Sequence, residues 1–284
     1  MSALVPFAWR ARRVRAASTE IAAFEAGAGD ARAPCVVLVH GLGHWSDAAW
    51  SRLVPHLDGA RRYVAFDLPG FGASAKPAVR YDAAYFARVL DEVTAALAPE
   101  RFALVGHSLG GFIAADFAGR HPERVGRLAL IAPAGFTRAP RHVGFSLLAR
   151  AIGAPLATRA PSRRFVRRIV ERAVHDPASI DEAHVERAYA LAQELAMRRA
   201  FTGVYAAAAD LFTGRDAVHA RFARYAGPVL CAWGRHDRYI RIDALRAVRR
   251  VYPRAETLVL ERSAHLPMVE EPFVLGAALD TFLG

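Results

Sequence analysis

The chain has 284 residues, of which 54% are hydrophobic and 23% charged. That is enough apolar material for a sizeable core, and it excludes a disordered or fibrous chain. Charges interrupt every apolar stretch short of the ~18 residues a membrane span needs, and two cysteines, Cys35 and Cys231, exclude a disulfide scaffold. The net charge of +11 is almost entirely arginine, Lys76 being the only lysine. Without zinc-finger spacing, an RNP-like strand or a basic zipper, it predicts a basic surface and no nucleic-acid partner.

The chain opens with a mostly apolar stretch from Ala3 to Trp9, and Arg10, Arg12, Arg13 and Arg15 follow. A secretory leader has the reverse order, so a cytoplasmic location is expected. Residues 12–17 and 20–25 alternate weakly and predict an opening hairpin-like pair of strands. Cys35–Val39 (CVVLV) is continuously apolar, as a strand covered on both faces should be. Segments 63–66, 102–105, 128–132, 229–233 and 257–260 repeat that pattern. Helices are predicted between them. One covers 47–57 behind Ser46 as N-cap, and another covers 82–97, with Tyr85, Phe86, Val89, Leu90 and Val93 at helical spacing; 109–120 and 273–283 read likewise. Repeated strand and helix predict an α/β fold with a mostly parallel sheet.

From 134 to 227 the alternation stops. Amphipathic helical stretches at 145–152, 163–174, 180–199 and 204–212 take its place, punctuated early by Pro140, Pro155, Pro161 and Pro177. The region reads as a helical insertion into a core built from 1–133 and 228–284.

Gly106-His107-Ser108-Leu109-Gly110-Gly111 stands between a predicted strand and a predicted helix. A G-x-S-x-G there makes a sharp turn that exposes the serine, with glycines where larger neighbours would clash. The helix N-terminus behind it supplies free N–H groups and partial positive charge. A serine hydroxyl needs a base to act as a nucleophile. His265, on the loop after the last predicted strand, suits that role. Asp237 lies just beyond strand 229–233 and is expected to orient the base; Asp243 competes more weakly. The loop His40-Gly41-Leu42-Gly43 follows a strand end. The backbone N–H groups of Leu42 and Leu109 are expected to form the two-donor oxyanion site such chemistry needs, with the His40 side chain bracing the loop.

HGLG at 40–43, DLPGFGAS at 67–74, GHSLGG at 106–111, GRHD at 234–237 and SAHLPMVEEP at 263–272 together resemble the α/β-hydrolase superfamily, over about residues 17 to 283. The resemblance implies an eight-stranded sheet, the insertion acting as a cap after the sixth strand, and Asp67 in a structural turn. Ser108 stands where haloalkane dehalogenases and epoxide hydrolases of this fold carry aspartate. Leu109 stands where proline iminopeptidases usually have tryptophan, and Leu266 where carbon–carbon hydrolases of ring-cleavage pathways typically have it.

The expectation is a serine hydrolase using Ser108, Asp237 and His265, a carboxylesterase for small to medium hydrophobic esters, with no metal or organic cofactor. Carbon–carbon bond hydrolysis with the same triad is the alternative, and a non-catalytic ligand-binding module of the same fold stands behind both. Phe136, Phe145, Leu147, Leu148, Ile152 and Phe212 are candidates to line the pocket. Arg138, Arg141, Arg159, Arg163, Arg164, Arg167 and Arg168 are expected to form a solvated face. Oligomeric state is not legible.

Overall fold

The computed structural model describes residues 9–136, 159–212 and 215–284. Among these, eight strands form one sheet in the order β1-β2-β4-β3-β5-β6-β7-β8. Strands β1 (Arg10–Ala16) and β2 (Thr19–Gly27) form an antiparallel hairpin, and β2 also pairs antiparallel with β4 (Arg62–Phe66). The hairpin turns through Ala17 and Ser18, both with positive φ (48° and 60°), as a turn matched to strand twist requires. From β4 onward all pairings are parallel: β3 (Cys35–Val39), β5 (Phe102–His107), β6 (Val125–Ile131), β7 (Val229–Gly234) and β8 (Glu256–Leu260).

The continuous apolar run of β3 is explained by two cores. Side chains alternate across a strand. Val37 and Val39 enter one core with Leu104, Leu128 and Leu130, while Val36 and Leu38 enter the other with Val105, Ala129 and Ile131. Helices α2 (Ala83–Leu97) and α3 (Leu109–Arg120) cover the first face, and the C-terminal helix (Pro272–Leu283) covers the second with Leu275, Leu279 and Phe282. Every residue of α3 except Arg120 is buried, which suits its small and apolar sequence. The one carboxylate in it, Asp116, is held by Arg120 at 2.6 Å and by Arg221 at 2.5 Å. Cys35 and Cys231 are buried free thiols in β3 and β7, strands separated by two others. Burial pushes them up to about 11 and about 12.

Between β6 and β7 the described residues hold helices and no strand: α4 (Arg163–Arg172), α5 (Glu182–Gln193), α6 (Leu195–Phe212) and α7 (Arg215–Phe222). No helix among the described residues is long and apolar enough to cross a membrane. The expected helix at 145–152, with Phe145, Leu147, Leu148, Ile152, Arg138 and Arg141, lies outside the described residues, as does the side chain of Phe212.

Three helix expectations need correction. The segment expected as 47–57 is a short helix α1 (Ser46–Trp50) followed by a 3-10 turn (Val54–His56). Pro55 lacks the N–H that a continuous helix would use. Ser46 lies inside this helix; it is not the cap, and its N–H goes to Asp67 at 2.7 Å. The span 180–199 is broken at Glu194, which adopts extended backbone and pairs with Lys76 at 3.2 Å. The helix at 215–222 had not been read from the sequence.

Candidate active site

Three parallel strands on one side of the sheet release the candidate side chains at their carboxyl ends, the edge where such sheets bind ligands. Ser108 follows β5 directly, Asp237 follows β7 and His265 follows β8. Ser108 has φ 53° and ψ −115°, a conformation that persists only when its surroundings enforce it. They do. A Cβ on Gly106 would run into the Gly110 carbonyl, and one on Gly110 would run into the carbonyls of Val39 and His40. The Ser108 N–H is held by the Ile131 carbonyl at 2.9 Å, and its own carbonyl accepts from Phe112 and Ala134. Leu109 opens α3, so its N–H has no acceptor within the helix.

His265 and Asp237 meet as the sequence predicts. Nδ1 of His265 lies 2.7 Å from Oδ2 of Asp237, and both residues are buried, at 8% and 7% exposure. Oδ1 of Asp237 accepts from the N–H groups of Tyr239 and Ile240 at 2.8 and 2.9 Å, which fixes the carboxylate. An ionised carboxylate only accepts. Nδ1 therefore carries the proton, and Nε2 is left as the basic nitrogen.

The backbone of His265 is tied on both sides. Its N–H donates to the Ala173 carbonyl of the insertion at 2.8 Å. Its carbonyl accepts from Nε2 of His107 at 2.8 Å. His107 immediately precedes Ser108, and its ring lies 4.8 Å from that of His265. Two carboxylates then clamp the loop. Glu270 accepts from the N–H of Ala264 with one oxygen and from those of His175 and Asp176 with the other, at 2.7, 2.6 and 3.1 Å. Glu271 accepts from the Arg262 N–H and the Ser263 hydroxyl.

Leu42 sits in the turn that follows β3, and the preceding Gly41 lies against the side chains of His107 and Ser108. His40 is wholly buried and braces this loop. Its Nε2 accepts from the Leu68 N–H at 2.9 Å and its Nδ1 donates to the Gly41 carbonyl at 2.7 Å. Asp67 accepts from the N–H groups of Ser46 and Ala73 and is structural, as its motif implies. His44 is different. Both of its ring nitrogens are buried with no hydrogen-bond partner among the described residues, and the ring stacks on Trp45 and tilts against His184 of α5, at 5.5 and 5.6 Å. Burial, then the neighbouring His184, holds its pKa well below the usual histidine range; burial does the same for His107.

His44, His107, Tyr239, Glu270 and Glu271 belong to the site and were not singled out from the sequence. Glu270 and Glu271 stand within the quoted segment SAHLPMVEEP, so a carboxylate pair within a turn or two of His265 was the available signal. Phe136 packs into the core against Phe222 and His219 and does not line the site. Among the described residues no group of three or more His, Cys, Asp or Glu side chains is arranged to hold a metal ion.

Residues 34–272 match the family model described as alpha/beta hydrolase fold. The chain is 31% identical over 265 residues to a pimeloyl-[acyl-carrier protein] methyl ester esterase of Aeromonas hydrophila, covering 88% of this chain and 96% of that one. Among solved structures it resembles a membrane phospholipase A described as a bacterial virulence factor, at 27% identity and TM-score 0.71, over 97% of this chain and 86% of that one. It also shares its fold with a 2-hydroxy-6-oxo-6-phenylhexa-2,4-dienoate hydrolase of Rhodococcus, at 23% identity and TM-score 0.81, over 97% and 99%.

Proposed function

We propose that this chain, which belongs to the alpha/beta hydrolase fold family, is a serine carboxylesterase that cleaves small to medium hydrophobic esters through an acyl-enzyme on Ser108. The observation that carries the reading is the Asp237–His265 pair at 2.7 Å, tied by the His107–His265 hydrogen bond to the turn that holds Ser108 at φ 53°. Ser108 Oγ attacks the ester carbonyl while Nε2 of His265 takes its proton. Asp237 stabilises the imidazolium that forms. The Leu42 and Leu109 amides hold the developing oxyanion, a term worth about 3–4 kcal/mol per donor. His265 then protonates the leaving alcohol, activates a water and so releases the acid. The segment 134–227 serves as a cap over this chemistry, with its Ala173 carbonyl already bonded to His265.

The methyl ester esterase, similar over nearly the whole of both chains, supports ester cleavage. The phospholipase A resemblance, by its name, speaks for the same bond class. Carbon–carbon hydrolysis is the other reading. The solved hydrolase named for such a substrate lies under 25% identity and supports the shared fold alone. Leu266, standing where those enzymes typically carry tryptophan, packs into the core beneath the sheet.

Ser108→Ala is expected to lower turnover of p-nitrophenyl esters by about 10⁴–10⁶, and a fluorophosphonate probe should label Ser108 in the folded wild-type protein. Retained turnover in the variant, or no labelling, overturns the assignment.

A further inference from the structure

Helix α4 buries only a narrow strip. Val166 points inward, while Arg163 and Arg167 lean toward α5 and pair with Glu182 and Glu186, and with Glu171 on α4 itself. At ~100° per residue the opposite strip carries Arg164, Phe165, Arg168, Ile169 and Arg172, and all five are exposed. Phe165 is 46% exposed and Ile169 44%. Arg164 and Arg168 have no ion-pair or hydrogen-bond partner among the described residues, and residues 137–158 contain no Asp or Glu that could supply one.

This strip continues toward the site. The Tyr239 hydroxyl donates to the Ile169 carbonyl at 2.9 Å, and the Arg172 guanidinium lies 6.0 Å from the centre of its ring. The same ring lies 5.3 Å from the His265 imidazole. Tyr205, within electrostatic reach of Tyr239, stacks obliquely on Phe201 at 5.2 Å, and Phe201 lies against Gly43 of the loop beside Ser108. Phe165, Ile169, Tyr205 and Tyr239 make up half of the eight large apolar side chains exposed among the described residues. Single exposed apolar residues need no explanation; a contiguous set beside unpaired cations does. A nucleic acid would satisfy the arginines and leave Phe165 and Ile169 in water. A lipid–water interface satisfies both: arginines reach phosphates on flexible stems while apolar side chains enter the acyl boundary.

We propose that the outer face of α4, Arg164, Phe165, Arg168, Ile169 and Arg172, together with Tyr205 and Tyr239, docks on an anionic lipid bilayer and presents lipid esters to Ser108. The inference rests on the ester-hydrolase reading of the site, and its test is separable from that reading. Flotation uses the 284-residue chain carrying Ser108→Ala, which cannot consume the lipid, with vesicles of phosphatidylcholine alone or mixed with phosphatidylglycerol. Binding to the anionic vesicles is at least tenfold tighter and weakens with added salt. Arg164→Gln with Arg168→Gln lowers it about thirtyfold, at the usual gain per arginine near such a surface. Phe165→Ser with Ile169→Ser lowers it at least tenfold, with circular dichroism reporting an unchanged fold. Should either pair fail to fold, Phe165→Trp gives a fluorophore whose emission moves to the blue on adding anionic vesicles.

No binding to anionic vesicles, equal binding to both compositions, full binding by both folded double variants, or unshifted emission overturns the proposal. So does capture of an acidic acyl-carrier protein by the same arginines while vesicles are ignored. Wild-type turnover of a water-soluble ester without vesicle binding overturns the docking alone; vesicle binding without ester turnover overturns the site reading and with it the presentation of esters.

Discussion

Glu270 shows how a carboxylate that never touches the His265 ring can fix the backbone that carries it. Burial pushes its carboxyl above the ordinary range, against the pull of three amide donors. Those donors come from both the histidine loop and the insertion. Glu270→Gln keeps one acceptor oxygen and turns an amide NH₂ toward either Ala264 or the His175–Asp176 pair. A buried donor left without an acceptor costs about 1–3 kcal/mol, so urea denaturation should show a loss of that size; an unchanged midpoint would dismiss the clamp. At this scale the placement of Ser108, Asp237 and His265 was legible, because each sits in a short motif just past a strand end. Glu270, His107 and His44 were not. Their roles arise from which backbone or ring happens to lie opposite, and no local spacing records that.

Among elements, the strands and helices that face the two cores were read most closely. Helix α3 begins and ends where the sequence predicts, since the Ser108 turn, with Gly106 packed against Gly110, starts it and the apolar run ends at Arg120. Helix α2 starts one residue later than predicted because Asp82 is its cap, its side chain accepting from the Tyr85 N–H at 2.9 Å. Asp82→Ala should cost about 1 kcal/mol of folding free energy, measured by chemical denaturation; a neutral result would mean the cap bond is not formed in solution. The break at Glu194 escaped the sequence reading because no glycine or proline marks it. Tertiary contacts make it: Lys76 holds the Glu194 carboxylate, and Arg198 caps the Ala192 and Gln193 carbonyls left open. The arginines of α4 divide in the same way. Arg164 and Arg168 face solvent as expected, while Arg163 and Arg167 are half-buried and paired across helices.

For the molecule as a whole, four histidines whose rings are withdrawn from water shape the response to acid. Burial lowers the pKa of His40, His44, His107 and His184 below the ordinary value of 6.5. Each is neutral when folded and gains a proton more readily when unfolded. Their contribution to stability is intact above pH 6.5 and is lost as pH falls through the window beneath it. Unfolding free energy followed from about pH 8 to about pH 5 should fall below that point, and His44→Gln should make the fall shallower. A slope identical in the variant would remove His44 from the account.

The hydrogen bond from the His265 amide to Ala173 also bears on protein engineering. Exchanging the segment between β6 and β7 for that of another family member looks like a simple way to change selectivity while sparing the scaffold. Here the donor segment would have to bring its own equivalents of residues 173–176. Without them the transplanted chimera would leave that amide and the Glu270 carboxylate empty-handed, and the His265 imidazole would be the first thing to drift.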